Sequence, residues 1–590
     1  MNKRLTVVVL LVGICTAGLF IFKPGIFKKD VPDEAIEMLQ GVNTERKEAG
    51  FPPLPSLDSL WYKQAIIYSL DVKVFSDSDG DGIGDFNGLT QRLPYIKSLG
   101  VNAVWLAPFQ PSPWRDDGYD VKDYYSVEPR MGSIDDFRRF VQQAKRDSIR
   151  VIMDLVVNHS SIEHSWFVQS RDTTNTYHTW YSWSRTKPDN FDKGMAFPGV
   201  QKSIWTYDSL AKAYYYHRFY EFQPDLDLQQ PAVRSEVKKM LSFWLAEGVD
   251  GFRLDAVPFA IEVPDTKGDN FKGNYDIIKE MRRHVQSIAP SAVLLGEANI
   301  TPGENTHYFG EHGEGLHLMF NFHVNQLLFY ALAAGEVAHL QKALSATGGM
   351  PHHSQWAQFL RNHDEVDLGR LTKKERSRVY EAFGPLPSMQ LYDRGIRRRL
   401  APMLNNDQKR LKLAYSLLFS LPSTPVIRYG DEIGMGDNLA LAERLAVRTP
   451  MQWNDSVNAG FSTSKSPLRP VIDTGAANYR MRNVVAEERD PNSLLQFTRR
   501  LIAMRRACPE MNWGRWEVVE TGSGHVTGMI YRWNNSEVLI LNNLSASEQQ
   551  LHLQQLVATD KKWTALNGGP IPQEGKMKAA GYESYWYRLK

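Results

Sequence analysis

Cysteine is scarce in this chain of 590 residues, which contains only Cys15 and Cys508. Two cysteines do not make a disulfide framework, and their spacing matches no zinc site. Cys15 lies inside an apolar N-terminal run, so we expect the folded body to hold one free thiol. Internal repeats and low-complexity tracts are lacking as well.

An excess of either charge is also lacking, since 69 lysines and arginines stand against 67 aspartates and glutamates. This balance gives no electrostatic reason to expect nucleic acid or another polyanion as a partner. The chain is long enough for two or three domains with ample buried core. Aromatic residues make up 11% of it, which permits stacking on sugar rings, although core packing accounts for most aromatic side chains.

Long hydrophobic runs are confined to the N-terminus, where Lys3 and Arg4 precede the apolar residues 5–22. This run is short for a bilayer span but long for the core of a signal peptide. We predict that residues 1–22 are a signal anchor, which places the body in the periplasm or elsewhere outside the cytoplasm. A cleaved signal peptide and a lipid-modified Cys15 are the alternatives. Residues 23–60 are polar and rich in proline, and predict a tether.

From Trp61 onward, strand-like apolar runs alternate with helical patterns. The eight candidate strands are Ala65–Phe75, Val101–Pro108, Arg150–Asn158, Gly251–Val257, Ala292–Asn299, His317–Asn325, Trp356–Asn362 and Thr424–Tyr429. Such alternation predicts an α/β fold, a (β/α)8 TIM barrel that forms a catalytic domain over residues 61–510. The competing doubly wound sheet would carry a glycine-rich phosphate turn after an early strand, and the sequence has none.

Two insertions interrupt the predicted barrel, and a different pattern follows it. Residues 160–231, after the third strand, are rich in Trp, Tyr and Asp and predict a lid over the barrel mouth. Residues 366–423 separate the seventh and eighth strands, and their basic stretches predict a solvated face. Residues 515–590 contain the alternating runs Val526–Trp533 and Ser536–Asn542 around an Asn-Asn turn, and predict a C-terminal antiparallel β-sandwich.

Four motifs lie at the ends of predicted strands. Each is a short apolar run that ends in polar, mostly charged residues, as expected of a buried strand whose tip projects chemistry into a pocket. They are Asp154–His159, Gly251–Val257, Gly296–Asn299 and Arg361–Glu365. Three of them carry a carboxylate that can act on a sugar, namely Asp255, Glu297 and Asp364. Cleavage of a glycosidic bond needs paired carboxylates at a fixed separation.

The neighbours of two of these carboxylates predict different protonation states. Asp255 is two residues from Arg253, and a nearby cation favours the ionised form that a nucleophile needs. Glu297 follows the apolar run Ala292–Gly296. Partial desolvation there would raise its pKa and let it donate a proton near neutral pH.

The motifs, their order and their placement resemble the α-amylase superfamily, glycoside hydrolase family 13, over residues 61–590. Four further stretches are most similar to its trehalose synthase (maltose α-D-glucosyltransferase) branch. They are Pro111–Asp120, Gly395–Pro402, Gly430–Asn438 and Val447–Trp453. The resemblance implies that Asp255 is the nucleophile, Glu297 the acid/base, and Asp364 the residue that stabilises the transition state.

The same resemblance implies a set of substrate-binding residues. They are Asp116, Tyr119, His159, Arg253, His363 and Arg448. Tyr119 would supply a stacking platform, and Asp116 would hold sugar hydroxyls at the closed end of the first glucose site. A closed end implies action on the ends of short α-glucosides such as maltose and trehalose.

The loop Asp77–Asp85 predicts a cation site. Alternating carboxylates with glycines can turn oxygens towards a hard cation. The loop begins like an EF-hand, but its twelfth position is Gly88, where an EF-hand has a glutamate. The resemblance implies a structural Ca²⁺ and no organic cofactor; the alternative is a solvated acidic turn. The implied ligands are Asp77, Asp79, Asp81, the carbonyl of Ile83, and Asp85.

The resemblance implies a retaining transglycosidase that interconverts maltose and trehalose through a covalent glucosyl-enzyme. An exported α-glucosidase, with water as the acceptor, is the first alternative. Asp227 and Leu445 depart from the family's pattern and are the features that favour it: relatives with α-glucosidase or trehalose-forming activity usually carry Asn at the first position, and trehalose synthases usually carry Asp at the second. A catalytically inactive binding or transporter-associated subunit is the second alternative, and the presence of all three carboxylates argues against it. The sequence leaves the oligomeric state open.

Overall fold

The computed structural model describes residues 33–267, 272–553, 556 and 561–590. Within these ranges no helix is both long enough and apolar enough to cross a membrane. The predicted anchor at residues 5–22 lies outside the described residues. Export and membrane anchoring therefore stay predictions from the sequence.

Eight parallel strands close into a barrel, which confirms the predicted (β/α)8 fold. In chain order, β1 to β8 are Ile67–Leu70, Ala103–Leu106, Arg150–Leu155, Gly251–Leu254, Val293–Gly296, Leu318–Phe320, Gln355–Phe359 and Thr424–Arg428. Each strand pairs with the next, and the barrel closes where Ile67 of β1 pairs with Val426 of β8. The strands are buried along nearly their whole length, as expected when helices cover the outside of a parallel barrel.

Ten α-helices of eight or more residues are described in these ranges. In chain order, α1 to α10 are Asp33–Glu48, Phe86–Leu99, Ile134–Arg146, Pro231–Ala246, Asp276–Ile288, Phe322–Ala334, Ala338–Ala346, Lys373–Phe383, Gln408–Ser420 and Leu494–Arg506. The start of α3 has a capping box, in which Ser133 accepts from the amide of Asp136 and the Asp136 carboxylate accepts in return. Such local signals explain why these helices begin where they do.

The predicted strand His317–Asn325 is wrong over its second half. β6 ends at Phe320, and α6 begins at Phe322 because the side chain of Asn321 accepts from the amide of Val324. An N-terminal cap of this kind stabilises a helix start, even within an apolar run that suggests a strand. The first predicted strand is likewise shorter, because Val72–Val74 forms a 3-10 turn.

The tether predicted for residues 23–60 is wrong over its described part. α1 lies against the barrel, with Val42 fully buried in a cluster that includes Trp61. The carboxylate of Glu45 accepts from the amide of His352 at 2.9 Å and contacts the rings of His352 and His353 at 2.7 and 3.0 Å. The prolines and polar residues of this segment suggested a linker, but its apolar side chains pack beneath the barrel.

The two insertions carry small sheets of their own. Residues 160–231 contain the antiparallel strands Trp183–Ser184, Trp205–Asp208 and Ala213–Tyr216. Residues 366–423 contain the short strands Val366–Asp367, Gln390–Leu391 and Gly395–Ile396. Both insertions follow carboxyl ends of barrel strands, so they lie on the side of the barrel where the four motifs end.

The C-terminal residues form two antiparallel sheets. Strands β9 to β15 are Arg515–Val518, Val526–Trp533, Ser536–Asn543, Gln549–His552, Trp563–Ala565, Lys576–Ala579 and Ser584–Leu589. Five of them form a sheet in the order β9-β10-β11-β15-β13, and β12 pairs with β14. The predicted turn Asn534-Asn535 has φ of 49° and 58°, values that asparagine tolerates in a two-residue hairpin. Apolar residues of both sheets share one core cluster.

We predict that Glu45→Ala lowers the free energy of unfolding by about 1–3 kcal/mol, because it leaves the buried ring of His353 without the carboxylate that it contacts and removes the hydrogen bond to the amide of His352. Urea denaturation measures the change. Glu37→Ala is the matched control, since Glu37 is an exposed carboxylate of the same helix and should change stability by about 0.5 kcal/mol or less. Equal midpoints for the two variants would contradict docking of α1 through Glu45.

Candidate active site

A cavity of about 680 Å³ opens at the carboxyl ends of the barrel strands. This is the usual place for the active site of such a barrel, and the volume suits a small-molecule site. Residues from the four motifs and from the loop after β2 line it. Among the lining residues are Asp116, Tyr119, His159, Asp255, Glu297, His363 and Asp364.

The guanidinium of Arg253 joins three carboxylates at the floor of the cavity. Its Nη1 donates to Asp154 at 2.7 Å and to Asp255 at 2.5 Å, and its Nη2 lies 2.7 Å from Glu297. Arg253 is 1% exposed and projects from β4, so it lies behind the carboxylates. It was predicted to bind substrate, but it does not line the cavity. A guanidinium that contacts both Asp255 and Glu297 keeps them close together, which favours the roughly 5–5.5 Å separation of retaining glycosidases.

Burial decides the protonation of this pair. Burial raises the pKa of Asp255 to about 6, despite the opposing charge of Arg253. The expectation that Arg253 keeps Asp255 ionised therefore holds only above this value, because one guanidinium is shared by three carboxylates. Burial likewise raises the pKa of Glu297 to about 7, in line with the sequence-based expectation for an acid/base.

A buried polar layer orients the ring that was predicted to stack on sugar. The hydroxyl of Tyr119 donates to Asp154 at 3.0 Å and lies 2.7 Å from Nε2 of His363. The rings of Tyr119 and His363 are stacked, with centroids 5.4 Å apart. The indole of Trp105 also donates to Asp154, at 3.2 Å. Tyr119 is thus held by Asp154 and by His363, so a sugar would meet a rigid surface.

Two arginines, one of them missed in the sequence, bind Asp364. Arg444 Nη1 donates to Asp364 Oδ1 at 3.0 Å, and Arg448 Nη2 donates to the same oxygen at 2.8 Å. Burial would raise the pKa of Asp364, but the hydrogen bond to His363 and these positive charges bring it well below its usual value. Arg448 lies behind Asp364 and does not line the cavity, so it positions the carboxylate and is not placed to contact substrate.

Arg444 also closes one end of the cavity. It forms an ion pair with Asp116, whose other oxygen accepts from Gln223 at 3.0 Å. Gln223 in turn lies 3.2 Å from Nε2 of His159. Arg444 stands four residues before Arg448 in the sequence, but a lone arginine on a loop gave no sign that it would reach two carboxylates from different strands.

Aromatic side chains of the two insertions meet beside the cavity, which Phe197 lines. The rings of Phe197 and Tyr392 are stacked with centroids 4.5 Å apart. The hydroxyl of Tyr220 lies 3.1 Å from that of Tyr392, and both hydroxyls donate to the carboxylate of Glu443. We call Phe197, Tyr220, Tyr392 and Glu443 the roof. It joins residues that are far apart in sequence, and one of them, Phe197, lines the cavity.

Three of the predicted metal ligands converge. Carboxylate oxygens of Asp77, Asp79 and Asp85 lie within 4.8 Å of one another. Asp81 is exposed outside this group, and its Oδ1 accepts from the amide of Ile83 at 2.7 Å. The amide of Asp77 donates to the carbonyl of Phe461 at 2.9 Å, so the loop after β1 is attached to the segment that follows β8.

The side chains of the two residues that favoured hydrolysis do not line the cavity. Asp227 accepts from the amide of Gln229 and the side chain of Gln230, both at 3.0 Å, just before α4. Leu445 lies in a 3-10 turn, where its carbonyl accepts from the amide of Arg448. Neither side chain is among those that line the cavity, so neither is placed to select the acceptor.

The family described as "Alpha amylase, catalytic domain" matches residues 69–385 and 393–514 of the chain. A trehalose synthase of Thermus thermophilus is 40% identical over 501 residues, which are 84% of this chain and 52% of that protein. A trehalose synthase/amylase TreS of Mycobacterium tuberculosis is 38% identical over 560 residues, 92% of this chain and 93% of that protein. The chain thus spans about half of the first relative and nearly all of the second.

Solved structures agree with the fold. Trehalose-6-phosphate hydrolase of Bacillus licheniformis has a TM-score of 0.73 and 26% identity, over 90% of this chain and 99% of that chain. Trehalulose synthase MutB of Pseudomonas mesoacidophila has a TM-score of 0.72 and 26% identity, over 90% and 99% of the two chains.

We predict a bell-shaped dependence of kcat/KM on pH. Activity should rise through about pH 6 as Asp255 loses its proton, and fall above about pH 7 as Glu297 loses the proton that it must donate. Initial rates on an α-glucoside across the pH range measure the profile. Glu297→Gln is the informative variant, tested on a substrate whose leaving group needs no proton. Its pH profile should retain the rise through about pH 6, which depends on Asp255, and lose the fall above about pH 7, which depends on Glu297. A basic limb that persists in this variant would contradict the assignment of Glu297.

Proposed function

The chain belongs to the alpha-amylase family, and we propose that it interconverts maltose and trehalose by transferring a glucosyl group within one closed site. The carboxylate arrangement supports retaining chemistry, the names of the similar trehalose synthases support the substrates, and the roof supports transfer to a sugar over transfer to water. The proposed substrates are small α-glucosides. The chain carries no excess of positive charge that would suggest a polyanionic partner.

The first half of the proposed reaction forms a glucosyl-enzyme. Asp255, ionised above about pH 6, attacks the anomeric carbon of the non-reducing glucose. Glu297, protonated below about pH 7, gives its proton to the glycosidic oxygen as that bond breaks. The carbon–oxygen bond to the carboxylate replaces the glycosidic bond, and free glucose leaves with the proton. Asp364 stays ionised and stabilises the positive charge that develops on the ring.

The second half transfers the glucosyl group back to the same glucose. The released glucose turns in the cavity, and its anomeric hydroxyl attacks the carbon bound to Asp255. Glu297 accepts the hydroxyl proton, so both carboxyl groups return to their starting states. Two inversions at one carbon retain the α configuration, and the product is the α,α-linked disaccharide.

The roof is the observation that carries this proposal. A hydrolase needs water at the glucosyl-enzyme, whereas an isomerase must retain glucose and keep water away from it. Contacts among Phe197, Tyr220, Tyr392 and Glu443 bring the two insertions together beside the cavity that holds the carboxylates. Hydrolysis as an exported α-glucosidase is the weaker alternative, because the side chains of Asp227 and Leu445 do not line the cavity.

We expect trehalose to accumulate from maltose, with little free glucose, in a proton NMR time course on the protein without residues 1–30. The symmetric α,α-linked anomeric signal identifies the product. Asp255→Ala should abolish both this conversion and hydrolysis, because it removes the nucleophile. Two glucoses per maltose without trehalose would establish the hydrolase instead, and substantial turnover by Asp255→Ala would contradict the assigned nucleophile.

We further propose that the loop Asp77–Asp85 holds a structural Ca²⁺. The donor set supports this, since the three convergent carboxylates supply the hard oxygen ligands that calcium prefers. Asp77, Asp79 and Asp85 would hold the ion, and Asp81 would join them only if its side chain turned inward. The hydroxyl of Ser462 donates to Asp77, so an ion here would strengthen the link between the loop after β1 and the segment after β8.

Calcium should raise the Tm of the protein, by an amount equivalent to about 2.7 kcal/mol at a hundredfold excess over Kd, because it binds only the folded loop. Thermal unfolding with and without a chelator measures the effect. Asp79→Asn should remove most of the calcium dependence, and the exposed Asp58→Asn should keep it. The same Tm with calcium and with chelator would leave a solvated acidic turn as the correct interpretation.

A further inference from the structure

Of the four carboxylates of these motifs that line the cavity, Glu365 alone has no role in the proposed reaction. It follows Asp364 directly, lines the same cavity and is 9% exposed. Among the residues that the structure describes, none donates a hydrogen bond to its carboxyl group or forms an ion pair with it. A buried carboxyl group in this state needs a partner from the cavity, either water or a ligand.

The two nearest arginines are directed to other acceptors. Arg444 donates to Asp364 at 3.0 Å and is paired with Asp116. Arg394 donates to the carbonyl of Ala196 at 2.9 Å, and its Nε lies 3.6 Å from Asp367. Both arginines act on Glu365 by charge, yet neither satisfies its hydrogen-bonding capacity. The carboxyl oxygens of Glu365 therefore remain available to accept hydrogen bonds from a ligand in the cavity.

The stem of Glu365 is held in place by a neighbouring strand. Gly395 pairs with Asp367 across the short sheet of the second insertion. A Cβ atom at position 395 would lie 2.4 Å from Cγ and 2.9 Å from Cβ of Glu365. Only glycine fits at this distance, so the backbone of one strand packs directly on the glutamate. A side chain clamped in this way is preorganised for a ligand.

Contacts of the loop that carries Glu365 connect it to the side of the cavity where the acid/base lies. The closed end of the cavity is formed by Asp116 and Arg444. On the other side of Asp364, Asp367 accepts from the side chain of Asn299 at 2.7 Å. Asn299 is two residues from Glu297, the acid/base that must face the leaving oxygen. Glu365 is thus carried by the loop that joins Asp364 to the acid/base side.

We propose that Glu365 binds the released glucose, holding its hydroxyl groups while the ring turns between cleavage and transfer. This rests on the proposed function and extends it, because it assigns a residue to the acceptor sugar. Burial and the charge of Asp364 raise the pKa of Glu365 to about 7. Above this pH the ionised carboxylate can accept hydrogen bonds from two hydroxyl groups, which suits a sugar that changes orientation.

The test separates the acceptor from the donor. With α-glucosyl fluoride as donor, formation of the glucosyl-enzyme needs no leaving sugar, and added glucose serves as the acceptor. In Glu365→Gln, the glucose concentration for half-maximal disaccharide formation should rise about tenfold, as expected for one lost hydrogen bond to a charged group. Fluoride release without glucose should fall much less. Glu381→Gln, on the exposed face of α8, is the matched control.

A second variant and a second readout keep the result decisive. Gly395→Ala displaces Glu365 without removing its charge, so it should raise the same glucose concentration. Equal losses of fluoride release and of disaccharide formation in Glu365→Gln would overturn the proposal, since they would show an effect on Asp364. If the unmodified protein forms no disaccharide, the proposed function fails, and inhibition by glucose becomes the readout. A Ki for glucose that is unchanged by Glu365→Gln would then overturn the role of Glu365 as well.

Discussion

One buried guanidinium organises the reacting groups of this protein. Arg253 contacts Asp154, Asp255 and Glu297 at once, from strand β4 at the centre of the barrel. Three carboxylates in one buried place would repel one another, and removing their shared cation would leave that charge uncompensated at a cost of about 3–5 kcal/mol. Since one cation cannot neutralise three carboxylates, burial still raises the pKa values of Asp255 and Glu297.

On the opposite side of the cavity, one carboxylate is bound by two arginines. Asp364 is bound by both Arg444 and Arg448, and its pKa is lowered. The site therefore holds carboxyl groups whose environments push their pKa values in different directions, which is how one fold can supply a nucleophile, an acid and a permanent negative charge. Arg444 also reaches Asp116, so the arginine that keeps Asp364 ionised closes the cavity as well.

Much of this arrangement could be predicted from the sequence. The eight apolar runs identified the barrel strands, because a buried parallel strand appears in a single sequence as a short, continuous run of apolar residues. Asp255, Glu297 and Asp364 followed from their positions at the ends of those strands. The start of α6 was missed because the cap formed by Asn321 depends on one side-chain hydrogen bond within an apolar run.

Contacts between distant segments could not be predicted. Arg444 meets Asp116 across more than three hundred residues of sequence, and the stack of Phe197 on Tyr392 joins two separate insertions. The packing of α1 under the barrel was missed for the same reason, since a polar segment with prolines gives no sign of the histidines that Glu45 meets. Such contacts depend on how the elements pack in three dimensions.

The central claim is that glucose stays in the closed cavity between cleavage and transfer. The most direct measurement is the conversion of unlabelled maltose in a large excess of ¹³C-labelled glucose, with mass spectrometry of the trehalose formed at early times. Retention of the glucose predicts trehalose that is almost entirely unlabelled. Trehalose with one labelled ring in most molecules would show that the glucose leaves and is replaced from solution, and would contradict the account.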